Sequence, residues 1–130
     1  MPRLARVVRP PVLVLAALVV ATCTAVSGVD PATAALLEEH DLRAAGPTST
    51  AAIEIGPVHD VPWLLYREAS QEIGLDFAGL SGATAELRTT PLENDGLRVH
   101  VLVANGVAVG AWLSAEDLAP GIFALTDPPE

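Results

Sequence analysis

Hydrophobic and polar positions divide this chain into two unlike parts. Arg3, Arg6 and Arg9 precede any acidic residue, Pro10 and Pro11 follow, and Val12 to Ala21 is apolar throughout. No charged residue lies between Arg9 and Asp30. A basic head running into a short apolar stretch is what export machinery and the positive-inside rule select. A core helix would need a polar face, and this run has none. Residues 1–29 are therefore read as an apolar helix serving as signal peptide, lipoprotein signal or membrane anchor. Residues 30–127 are read as one α+β domain.

Within that domain, Asp30-Pro31 opens a helix: Asp can cap free amides, and Pro is preorganised at the first helical position. Ala32 to Glu39 propagates it with strong helix formers, and the expected stop is near His40-Asp41, with Gly46-Pro47 as a later alternative. Ala51-Ala-Ile-Glu-Ile55 alternates as a short strand. A second helix starts at Asp60-Val61-Pro62, where Asp60 is expected to cap. Leu65, Ala69 and Ile73 recur at helical spacing, with Trp63, Leu64 and Tyr66 alongside. Arg67, Glu68, Gln71 and Glu72 take the wet side, and Gly74 ends the helix. Leu75 to Gly82 is a connector anchored by Phe77 and Leu80.

The C-terminal half reads as strands. Leu97 to Ala104 and Val107 to Ser114 flank Asn105-Gly106, a dipeptide that supplies the positive φ angles of a tight hairpin turn. Counting outward from that turn puts Leu97, Val99, Val101 and Val103 on one face with Ala108, Gly110 and Trp112. The other face then carries Arg98, His100, Leu102 and Ala104 with Val107, Val109, Ala111 and Leu113. The first face is the expected core, and the half-apolar second is open to partial cover. Ala83 to Thr90 is a further strand, joined through the Pro91–Gly96 loop, and Ala119 to Leu125 forms a last turn that packs Ile122 and Phe123 back. The expected fold is α+β: two helices on one face of a small antiparallel sheet, in the order helix-strand-helix-strand-strand-strand.

Charge narrows the choice of partner. Beyond the N-terminal segment, four arginines face sixteen acidic residues, and there is no lysine. Such a surface repels phosphate backbones, so no nucleic-acid partner is expected. Cys23 is the one cysteine, which excludes a disulfide within the chain. Val20-Ala21-Thr22-Cys23 resembles a bacterial lipobox, with Thr22 where Gly, Ala or Ser is usual. Three fates stay open: lipidation at Cys23, cleavage after a small residue such as Ala25 or Ser27, or retention as an anchor. Pro10 to Val29 is long enough to span a bilayer. Each fate places the domain outside the cytoplasm, tethered to the membrane or secreted.

The pattern also resembles a small family of unknown function found in exported or membrane-tethered, lipoprotein-like proteins of Gram-positive bacteria. The residues that carry the resemblance are the Leu36-Leu37 helix, the Ile53-Glu-Ile55 strand and the Val61-to-Gly74 helix. They continue with Gly74-Leu-Asp-Phe-Ala-Gly-Leu-Ser-Gly82, which is similar to that family's Gly-x-Asp-Leu connector. The hairpin Val99 to Gly110 is similar to its strand, turn and strand. Leu80 stands in a position that family fills with Tyr. The resemblance spans most of residues 33–125 and implies the architecture and the location, with no activity attached.

No residue pattern defines a reaction. Nucleophilic catalysis needs a Ser or Cys with a base in reach. Ser70, Ser81 and Ser114 have no G-x-S-x-G setting and read as surface or turn residues. His40-Asp41 and His59-Asp60 are adjacent pairs, each able to give one ligand, and His100 lies mid-strand. Glu93-Asn94-Asp95-Gly96 has calcium-friendly oxygens without the full loop. No catalytic, cofactor or metal residue is assigned, and Cys23 is the candidate lipidation site. The expectation is a cell-envelope domain of non-catalytic, binding or accessory type, with an envelope protein or a small ligand as partner. The alternatives are an extracytoplasmic enzyme using His59, His100 or a carboxylate pair, and an acidic cation-binding module.

Overall fold

The computed structural model describes residues 27–94, 96–118 and 121–129. The assignments to residues 1–26, Cys23 among them, lie outside the described residues. No helix among the described residues is long and apolar enough to cross a membrane.

Two helices and five antiparallel strands make the α+β fold expected of the sequence. Helix α1 (Pro31–Glu39) stops at His40, and strand β1 (Ser49–Glu54) follows. Helix α2 (Trp63–Gln71) comes next, then β2 (Thr84–Pro91), β3 (Leu97–Ala104), β4 (Val107–Ala115) and a two-residue β5 (Ile122–Phe123). The strands lie in sequence order, β1-β2-β3-β4-β5.

Local chemistry explains the boundaries. Asp30 caps α1 as expected, its carboxylate accepting from the Thr33 amide at 3.0 Å, with Pro31 at the first helical position. At α2 the expected cap is absent: Pro62 is the N-cap residue and no side chain bonds the first amides. The backbone carbonyl of Asp60 does that work instead, accepting from the Leu64 amide at 2.9 Å. Asn105 and Gly106 adopt φ of 53° and 77° at the hairpin turn, where only residues tolerant of the left-handed region fit.

The hairpin register departs from the outward count. Ala104 faces Val107 and Val103 faces Ala108, but Leu102 then faces Gly110, so Val109 is an extra residue. This β-bulge reverses the faces of everything beyond it. Ala111 and Leu113 join Leu97, Val99, Val101 and Val103 in one core cluster, with Leu37, Leu92 and Leu125. Trp112 joins Leu102 and Ala104 in the other, with Ile55, Ala69, Ala85 and Phe77. Gly110 crosses over with Trp112, and the ring of Phe77 packs over it.

Both faces are therefore covered, and the helices divide between them instead of sharing one. Leu37 of α1 belongs to the first cluster, while Ala69 of α2, with Trp63 and Tyr66, serves the second. Helix α2 lies along the outer edge of β4. There Ser70, which is fully buried and not the surface residue expected, accepts from the Ala111 amide at 2.9 Å. The same hydroxyl lies 3.2 Å from the Ala111 carbonyl and 2.7 Å from that of Tyr66, so one side chain satisfies the sheet edge at Ala111, next to the residues that β5 covers. Beyond it, Ile73 and Leu75 pack against the first cluster.

Candidate functional site

The structure scatters the candidate residues. His40 caps α1, His59 is exposed in the β1–α2 loop with Asp60, and His100 lies in the middle of β3. Glu93 and Asn94 are exposed. No three His, Cys, Asp or Glu side chains converge among the described residues.

Only His100 sits in a developed polar setting. It faces Thr89 of β2 and Trp112 of β4. Its Nδ1 lies 3.0 Å from Thr89 Oγ1 and its Nε2 lies 2.7 Å from Ser114 Oγ. A neutral imidazole has one donor and one acceptor, so one hydroxyl donates to it and the other accepts. Its ring stacks near Trp112 at 5.8 Å, and Trp112 stacks in turn on Tyr66 at 4.2 Å with planes 9° apart. Burial, and secondarily the charge of Arg98, pushes the His100 pKa down to about 4. The imidazole is thus neutral through the ordinary pH range. Arg98 itself is bridged to Glu116 across the hairpin.

Chemically this is a serine with a neutral imidazole at hydrogen-bond distance and a threonine behind it. Ser114 was invisible as a partner in the sequence because the bulge sets which residues of β4 reach His100, while Thr89 meets it through the separate β2–β3 register. The outward count would have placed Ala111 opposite it, where the structure has Trp112.

A second polar cluster ties α1 to the sheet. The Asp30 carboxylate accepts from the Thr33 hydroxyl at 3.1 Å and from Arg88 of β2 at 2.7 Å. The Asp30 amide donates to Thr48 Oγ1, whose hydroxyl pairs with the buried Thr90 at 2.7 Å. Every member has a folding partner.

Two open depressions among the described residues border β1. One of about 480 Å³ lies at its C-terminal end, lined by Glu54 to Pro57 with Ser81 and Gly82. The other, about 450 Å³, is lined by Ala52, Thr84, Glu86 and Arg88 together with the hairpin turn Asn105-Gly106. None of the three histidines lines either one.

Searches for similar proteins return no matching family model, no matching curated protein and no matching solved structure.

Proposed function

We propose that the chain is an exported envelope protein whose domain binds a partner on the outer side of the membrane and performs no chemistry of its own. Its N-terminal pattern supports the location. The binding reading rests on how the polar side chains are employed: Asp30, Ser70, Thr90 and His100 all spend their hydrogen-bonding capacity on holding helices and strands together. The two depressions lie instead beside an exposed strand. The mass of the native protein's mature N-terminus tests the location. A diacylglycerol on Cys23, cleavage near Ala25 or an intact anchor in the membrane fraction each agree with it, whereas an intact chain in the cytosolic fraction would sink it.

One observation favours a second reading, an extracytoplasmic enzyme: the 2.7 Å contact between Ser114 and His100. A neutral imidazole can take a proton from a serine hydroxyl. Under that reading a fluorophosphonate probe labels Ser114, and His100→Gln abolishes the labelling. Under the binding reading Ser114 stays unlabelled at millimolar probe.

A further inference from the structure

We infer that β1 is a docking edge, and that its occupant is an extended segment of another protein carrying alternating apolar and basic residues. The inference rests on the binding reading above and deepens it by naming the surface and the chemistry of the partner.

The edge follows from the ladder. The Ile55 amide donates to Ala83 beside β2, whereas the Thr48 amide turns the other way and donates to the Gly28 carbonyl. In an antiparallel ladder this alternation continues residue by residue. Ser49, Ala51 and Ile53 therefore pair with Thr89, Leu87 and Ala85 of β2, and the amides and carbonyls of Thr50, Ala52 and Glu54 point away from the sheet. No described residue bonds those groups. Five of the six side chains of β1 are exposed.

Its two edges are treated differently by this fold. From Ala111 to Ala115 the β4 edge is closed by the Ser70 hydroxyl and by β5. β1 has no proline, no lysine and no bulge, and its one charged side chain is Glu54 at its C-terminal end. A row of alternating amides and carbonyls is complemented by another extended backbone, and side-chain concavities beside it then set specificity. The two depressions described above border this strand.

Charge selects the occupant. Thr50, Ala52 and Glu54 share a face with Arg88, Glu86 and Thr84, with which they pair in that order. Arg88 is held by Asp30 and Glu86, while Glu54 forms no ion pair among the described residues. A lysine or arginine on an added strand would meet the Glu54 carboxylate. On the opposite face Ile53 and Leu87 are half-buried apolar residues that an apolar side chain would extend. A second copy of the chain fits poorly, since it would bring two strongly acidic domains together.

The test uses the full chain, ¹⁵N-labelled, and an end-capped ten-residue peptide of alternating valine and lysine, with a valine–glutamate peptide as control. The expected result is that the amides of Thr50, Ala52 and Glu54 exchange quickly in the protein alone and become protected with the lysine peptide. Ala51 and Ile53 are protected throughout. Glu54→Lys should weaken the peptide by about tenfold. Ala52→Pro removes an outward amide, which an edge strand tolerates, and should weaken it by a similar factor while leaving thermal unfolding nearly unchanged. The inference is overturned if the three outward amides are already protected without peptide, through the chain's own N-terminal segment or a second copy. It is overturned equally if the glutamate peptide binds as well, or if the variants bind like the parent. Protection by the lysine peptide at a different surface would overturn the edge and keep the binding reading. Crosslinking in intact cells that joins the domain to no other protein would overturn the binding reading itself.

Discussion

Lowering the pH from 7 to 4 should cost this domain about 3 kcal/mol through His100 alone. Its pKa in the fold is about 4, against about 6.5 in an unfolded chain. Burial beside Trp112 disfavours the imidazolium, and the two hydroxyls that bond the ring do not replace the lost hydration. Because the folded pKa is the lower one, the unfolded chain takes up the proton first. The His100 contribution is therefore complete above about pH 6.5, falls by about 2 kcal/mol at pH 5, and levels off below pH 4 once both states are protonated. Among domains with roughly 5–15 kcal/mol in all, that is a large share. Urea unfolding followed by tryptophan fluorescence at half-unit pH steps would read the slope, since Trp112 stacks beside the histidine. His100→Gln, which does not titrate, should be less stable at pH 7 but flatten the profile between pH 6.5 and 4. Asp76 does not confuse this window. The hydrogen bond from Arg67, followed by those from the Ala78 amide and Gln71, holds its carboxyl low, so its contribution is lost only at still lower pH. An NMR titration placing the His100 midpoint near 6.5, or an unchanged slope in His100→Gln, would refute the reasoning.

Three further perturbations probe the framework. Ser70→Ala leaves the buried amide and carbonyl of Ala111 without their partner and should cost about 1–3 kcal/mol in denaturant unfolding, with Ala111 exchange accelerated. Gly110→Ala would set a Cβ 2.8 Å from the Phe77 ring, which is fully buried. It should cost about 1–3 kcal/mol and lower the melting temperature. Asp30→Ala removes the α1 cap and a partner of Arg88; a loss of at least about 1 kcal/mol is expected, with Asp30→Asn keeping more of it because the amide oxygen still caps.

The fold was legible where local chemistry decides it. Asp30-Pro31, the stop at His40, the Asn-Gly turn and the apolar anchor Phe77 each act within a few residues of their own position, and each stands in the structure as read. What escaped was the single extra residue Val109, and its effect is not local. One inserted residue exchanges Trp112 with Leu113 and Gly110 with Ala111 between the two faces, so it decides which core each helix covers. Gly110 carried the clue. A glycine inside a strand marks a bulge or a close backbone approach, and here it has both neighbours: the bulge one residue before it and the Phe77 ring against it. The polar cluster depended on the same slip, because His100 meets Trp112 and reaches Ser114 only in the bulged register. The open edge of β1 was hidden for a related reason. A strand's own residues do not say on which side it is paired, and β1 becomes an edge only through where β2 and α2 go. Alternation along a strand reports which side chains are wet, whereas a docking edge consists of backbone groups that alternation does not encode. The side-chain pattern of the sequence can thus describe this domain's interior well while leaving undescribed the strand edge through which we propose it works.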